Sequence, residues 1–131
     1  MVAITKLVSQ DRLSLDNTLA DYIPNLLGVI DNADEITLRQ MIQHRSGIPN
    51  FTDAPGFWEK PTQSFEESLA LIEGMPANFE PGEDYEYCNT NYLLLSKIMD
   101  EELGYPHYQF FQEEILDPLG LTNTYPSLEA V

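Results

Sequence analysis

The groups in this 131-residue chain that can do chemistry are twenty-two carboxylates, two histidines (His44 and His107), seven tyrosines and the thiol of Cys88. Twenty-two carboxylates are too many to nominate a general acid/base pair, because spacing in sequence does not fix spacing in space. Asp31-Asn-Ala-Asp-Glu35 faintly suggests a calcium loop but lacks the central glycine and the closing glutamate of one. His44, Cys88 and His107 do not have the spacing of zinc ligands, so neither a metal nor a cofactor is expected. A Gly-rich phosphate loop, His-Glu-x-x-His and Gly-x-Ser-x-Gly are all missing from these residues. Cys88 reads as a small buried residue, since nothing near it in sequence would lower its pKa. Taken one at a time, Tyr87 is an ordinary half-buried tyrosine, Asn89 a helix cap and His44 a helix-end residue.

Composition narrows the classes. Hydrophobic residues are 43 % and aromatics 11 % of the chain, enough for the core of one domain spanning 1–131. Six Lys plus Arg against twenty-two Asp plus Glu give a net charge of −16. Phosphate neutralisation needs clustered basic residues, so a nucleic-acid partner is excluded and docking on an anionic membrane surface is disfavoured. No apolar run approaches the roughly 20 residues of a spanning helix. A single cysteine rules out an intramolecular disulfide. The N-terminus shows no basic stretch followed by an apolar one, the pattern of a signal peptide.

The elements that would position these groups are helical. Met1 to Leu13 reads as a helix with no capping residue in front of it. Asp16 or Asn17 is expected to cap a short helix through Leu19 and Tyr22, closed by Pro24. The clearest local signal is Ile36 to Gly47. Thr37 and Gln40 make a capping box, Ile36 and Met41 a hydrophobic staple, and His44 and Arg45 are placed in the last turn. Asn50 to Thr62 is a loop carrying Phe51, Phe57 and Trp58; such aromatics either line a cleft or plug the loop onto the core, the second being commoner. Ser64 with Glu67 forms a second capping box, opening a helix through Leu69, Ile72 and Met75. Phe79 to Tyr87 suits a short hairpin. Asn89, Thr90 and Asn91 compete to cap a helix with Tyr92, Leu95 and Met99 in one line and Leu94 and Ile98 beside it. A last helix runs from Pro106 to Leu116. The fold class is mainly α, five or six helices with at most a short hairpin.

The order of several motifs adds a resemblance. Leu13-Ser-Leu-Asp16, Tyr22-Ile-Pro24, the stretch Ile36 to Ile48 containing His44-Arg-Ser-Gly47, Phe79-Glu-Pro-Gly82, Tyr85-Glu-Tyr-Cys-Asn-Thr-Asn91 and Asp117-Pro-Leu-Gly120 follow one another along nearly the whole chain. This resembles the serine β-lactamase and penicillin-binding-protein superfamily, in its class C β-lactamase, D-alanyl-D-alanine carboxypeptidase and esterase branch. The resemblance implies that Tyr87-Cys88-Asn89 is the family's Tyr-x-Asn motif, with cysteine where serine is common. Tyr87 would then serve in proton transfer with a serine and a lysine, and Asn89 in positioning the substrate amide. A phenol of reference pKa about 10 becomes a usable base only beside a cation. An asparagine offers a donor and an acceptor without carrying charge. Tyr85 and Tyr92 read as core or cleft-wall aromatics.

The partners of that motif, Ser-x-x-Lys and Lys-Thr-Gly, do not occur in these residues. Ala3-Ile-Thr-Lys6 has the form of the first with alanine at the nucleophile, but aligning it there would demand a deletion before Leu13-Ser-Leu-Asp16. The ungapped alignment makes Met1 to Leu13 the second half of the nucleophile's helix, with the serine about two turns upstream. The resemblance thus implies a helical piece of a serine hydrolase, silent alone, whose parent acts on a β-lactam, a D-Ala-D-Ala peptide or an ester. The superfamily's sheet would be absent, leaving apolar surface through which two copies would pair. The rival readings are a non-catalytic ligand-binding module of the same family and an unrelated acidic interaction domain. The last of these expects Tyr87 and Asn89 to point away from any shared cleft.

Overall fold

The computed structural model describes residues 1–128, and among them the chain is helical and without a sheet. Six α-helices follow in order: α1 (Val2–Ser9), α2 (Leu19–Tyr22), α3 (Leu38–Ile42), α4 (Phe65–Ala70), α5 (Asn89–Leu103) and α6 (His107–Phe111). The extended pairing among the described residues is an isolated bridge between Thr18 and Thr37. The chain divides into two compact units, one of Met1–Leu13 with the segment from Met99 onward, the other of Ser14–Ile98.

In the first unit, α1 follows Met1, which gives it no side-chain cap, as the sequence suggests, and buries Ala3, Ile4 and Leu7. Its end comes at Ser9, and Asp11 turns the chain through the left-handed region at φ 56°. Pro106 has no side chain with which to cap α6, and Asp100 supplies the acceptor instead. Its Oδ1 receives the His107 backbone N–H at 2.6 Å and lies 2.8 Å from His107 Nδ1. The expected last helix is there, but its second half, Gln112–Leu116, widens into a π-helical turn that buries Leu116.

In the second unit, α2 is capped by Thr18 rather than by Asp16 or Asn17. Thr18 and Asp21 form a complete capping box, each satisfying the other's backbone N–H. The box of Thr37 and Gln40 forms as expected, and Ile36 and Met41 are both fully buried. The helix that follows is shorter than its pattern. It ends at Ile42, and His44 adopts φ 56°, so His44 and Arg45 lie beyond the last turn. Gly47 is the position that sets this path: at φ 76°, a Cβ there would sit 2.0 Å from the Phe79 carbonyl oxygen.

The expected hairpin over Phe79–Tyr87 does not form. The backbone of residues 78–86 bonds instead to the chain after α3: Asn78 N–H to the Gly47 carbonyl, Gly82 N–H to Arg45 and Glu86 N–H to His44. With those partners supplied, the segment needs no return strand. Ser64 caps α4 by accepting from Glu67 N–H, but the Glu67 carboxylate takes the Gln63 N–H, so only half of the expected box exists. That helix stops at Ala70; Ile72 is buried beyond it and Met75 is exposed. On α5, Leu94, Leu95 and Ile98 are buried, each contributing about 1.5–3 kcal/mol. Tyr92, placed by its spacing on the same stripe, is 38 % exposed.

Candidate active site

The first turn of α5 and the loop after α3, both within Ser14–Ile98, are bound together by side chains. Residues 46–49 are buried, and a buried loop must find partners for its backbone and polar atoms. Thr90 and Asn91 supply many of them, and Asn89 donates to Thr52 just beyond. All three lie inside the helix, so none is its cap. Asn91 is fully buried; its Oδ1 accepts from Ser46 Oγ at 2.7 Å and its Nδ2 lies 3.2 Å from His44 Nδ1. Thr90 Oγ1 donates to the Pro49 carbonyl at 2.7 Å and accepts from Phe51 N–H at 3.0 Å. Cys88, 1 % exposed, donates its thiol to the Ile48 carbonyl at 3.3 Å. Burial raises the Cys88 pKa, keeping the thiol a protonated donor.

His44 is the hub. Its Nδ1 receives the Cys88 backbone N–H at 3.2 Å, which can only donate, so Nδ1 carries no proton. Nε2 then bears the hydrogen and faces Tyr92 Oη at 3.3 Å. Burial lowers the His44 pKa below the usual imidazole value, so the neutral ring is the ground state. Three tyrosines surround it. Tyr87 lies over the ring at 4.5 Å and 33°, Tyr92 meets it at 5.2 Å and 69°, and Tyr85 stands edge-on at 6.2 Å. The left-handed turn at His44 brings the ring here, where histidine and asparagine tolerate positive φ better than most residues.

The structure places the two motif residues differently. Asn89 lines a cleft of about 420 Å³ with Phe51, Phe57, Trp58 and Tyr92, and its Nδ2 donates to Thr52 Oγ1 at 3.2 Å. Tyr87, 54 % exposed, is not part of that lining and reaches it through its ring contact with Tyr92 at 5.9 Å. The aromatic loop does not plug the core as the commoner pattern would have it. Phe51, Phe57 and Trp58 meet edge to face along the cleft wall, and Trp58 is 76 % exposed. Tyr92 is a cleft-wall residue, whereas Tyr85, 60 % exposed, is neither in the core nor in the lining. Reading residue types alone misses His44, Ser46 and Asn91. Their signal is joint: a His-x-Ser-Gly segment followed by a second asparagine two positions after Asn89.

The helical unit thus presents an asparagine amide to a cleft, with a tyrosine two residues earlier stacked on a neutral histidine. The chain matches the Beta-lactamase family over residues 1–129 and belongs to it. Among solved structures it is similar to a D-stereospecific amidohydrolase from Streptomyces sp. (27 % identity, TM-score 0.80), covering 91 % of this chain and 38 % of that one. It is likewise similar to a D-amino acid amidase from Ochrobactrum anthropi SV3 (26 % identity, TM-score 0.80, 94 % of this chain and 34 % of that one). An octameric penicillin-binding protein homologue from Pyrococcus abyssi shares 32 % identity at TM-score 0.77, over 92 % of this chain and 29 % of its own. The chain spans 30 % and 25 % of the length of the first two curated relatives it matches. No helix among the described residues is long and apolar enough to cross a membrane.

Proposed function

We propose that this chain supplies the second catalytic motif of a β-lactamase-family serine hydrolase that cleaves an amide or ester through an acyl-enzyme. The observation that carries the reading is the position of Asn89, whose amide stands on the cleft wall two residues beyond a tyrosine braced on His44. Tyr87 takes the proton from the attacking serine hydroxyl as the serine oxygen bonds to the substrate carbonyl carbon. Collapse of the tetrahedral intermediate breaks the C–N or C–O bond, and the proton passes from Tyr87 to the departing amine or alcohol. Water then hydrolyses the ester to serine and frees the acid. Asn89 holds the substrate amide with one donor and one acceptor.

Two groups in this scheme come from outside these residues. No Ser-x-x-Lys occurs in the sequence, so serine and lysine are both supplied by the rest of the protein. His44 does not substitute for the lysine, because its burial and its bond from Cys88 keep it neutral, and Tyr87 needs a cation to act as a base. The chain alone therefore binds without turning over. The relatives' names support a carbonyl substrate of D configuration, an amino acid amide or a D-Ala-D-Ala peptide, with a β-lactam as the cyclic form of the same bond.

Labelling with a fluorophosphonate and with a fluorescent penicillin, followed by mass-spectrometric mapping, tests the reading. The expected adduct lies on a Ser-x-x-Lys serine of the longer protein, with none on this chain alone. An adduct on a residue of this chain, or a folded longer protein that neither probe labels, would overturn it, the second outcome favouring a non-catalytic binding module.

A further inference from the structure

We infer that His44 is a positioning residue for the Tyr87–Asn89 motif: a neutral ring with its one proton fixed on Nε2, which holds the Tyr87 phenol against its face and the Tyr92 hydroxyl at its edge. That this placement serves proton transfer rests on the function proposed above; that the two tyrosines move with His44 does not.

Helix α5 sets the geometry. Residues two apart on an α-helix point about 200° away from each other, so the turn that shows Asn89 to the cleft drives Asn91 into the buried 46–49 loop. Asn91 has one orientation there. Ser46 Oγ accepts the Ile48 N–H, and its own hydrogen goes to Asn91 Oδ1 at 2.7 Å. Turning the amide over would leave that buried hydrogen without an acceptor, so Nδ2 is the end that faces His44. Two donors therefore meet at Nδ1, the Asn91 amide and the Cys88 backbone N–H, each at 3.2 Å. A series of donors runs from Ser46 through Asn91 and His44 to Tyr92, and each bond sets the direction of the next.

Protonation breaks this arrangement at one atom. A proton on Nδ1 would face two N–H donors and no acceptor, so the charged ring cannot keep its place. When it turns, Nε2 leaves Tyr92 Oη, 3.3 Å away, and the ring leaves Tyr87, 4.5 Å away between centroids. The other titratable groups against the ring are Tyr85 and Cys88, whose thiol is turned to the Ile48 carbonyl. The neighbouring charges are engaged elsewhere: Asp84 with the Tyr85 N–H, Glu86 with Asn78 Nδ2 and Arg45 with the Gly82 carbonyl. His44 is thus the group whose charge decides where Tyr87 and Tyr92 sit.

NMR of the tyrosine and histidine rings of this chain during acidification tests the structural part. Tyr87 and Tyr92 are expected to titrate together with His44, at a midpoint below about 6.5, and to lose that transition in His44→Asn. Asn91→Asp, which puts a carboxylate where Nδ1 now meets a donor, is expected to raise the midpoint by about one unit or more. The His44→Asn comparison stands whether or not Asn91→Asp folds. In the longer protein, fluorophosphonate acylation above about pH 7 is expected to be about 10- to 100-fold faster in wild type than in His44→Asn, the scale of a misplaced reacting group. That ratio is expected to shrink toward one as pH falls through the midpoint, whereas a role confined to stability would leave it the same at every pH. Tyrosines that do not follow His44, a midpoint unmoved in folded Asn91→Asp, or a ratio independent of pH would overturn the inference. Failure of the acyl-transfer reading has a different signature: the wild-type longer protein takes no label, while the tyrosines of this chain still titrate with His44.

Discussion

Two neighbouring stretches of the Ser14–Ile98 unit meet α5 by opposite means. Residues 44–51 are tied to its start by hydrogen bonds with Cys88, Thr90 and Asn91, nearly all of them buried. The next stretch, Thr52 to Pro61, is joined to the same helix by the Asn89–Thr52 hydrogen bond and beyond it faces the helix across a cleft with Phe57 and Trp58 in edge-to-face contact and Trp58 exposed. On the proposed function, the difference would separate two tasks. Catalytic geometry needs a motif held in one arrangement, and a buried, fully partnered polar network gives that because every alternative leaves an atom unsatisfied. Selection among substrates needs apolar surface that is open before binding, which hydrogen bonds would not provide.

The contrast can be broken by substitution. Gly47→Ala carries the largest expected effect. It forces a Cβ into the Phe79 carbonyl at a positive φ, so a loss of about 3 kcal/mol or more in urea unfolding is predicted. Asn91→Leu follows, at about 2–3 kcal/mol, because it strands the buried Ser46 hydroxyl and weakens the hold on His44. Trp58→Ala on the other stretch is expected to stay within about 0.5 kcal/mol, since so much of the indole is already in water. A Trp58→Ala loss as large as that of Asn91→Leu would erase the distinction.

The smallest effect is a pH dependence. Burial lowers the His44 pKa in the folded chain relative to its unfolded value of about 6.5, so the unfolded state binds the proton more readily. Stability is therefore expected to fall as pH drops through about 6.5 and toward the lower folded pKa, and to be insensitive to His44 above pH 7. Comparing urea midpoints of the wild type with His44→Asn, which tolerates the same left-handed backbone, isolates this slope from that of the carboxylates. A slope that is the same in both proteins would show that His44 is not the titrating group.

What could be read from sequence follows range of interaction. The Thr37–Gln40 box and the buried pair Ile36 and Met41 lie within one turn of each other and formed as read. The cap of α2 was misplaced by one or two residues because Asp16, Asn17 and Thr18 are all competent, and only Thr18 also has Asp21 three positions on. The end of α3 was not legible. Its apolar spacing allows continuation, and the left-handed turn at His44 accompanies contacts with residues more than forty positions away. Asn89 to Asn91 compete as caps in the sequence for the same reason: capping preference is local, whereas the demand of the buried 46–49 backbone is not. At the candidate site, Tyr87 and Asn89 came from the family resemblance, and no local pattern distinguished them.

The central claim is that Tyr87 acts in proton transfer and is not a brace for the fold. The most direct test is the rate of serine acylation by a fluorophosphonate in the longer protein, measured for wild type and Tyr87→Phe alongside their urea midpoints. The phenylalanine keeps the ring over His44, so the account predicts acylation slowed about 10²–10⁴-fold with the midpoint unchanged. An acylation rate within twofold of wild type would contradict it.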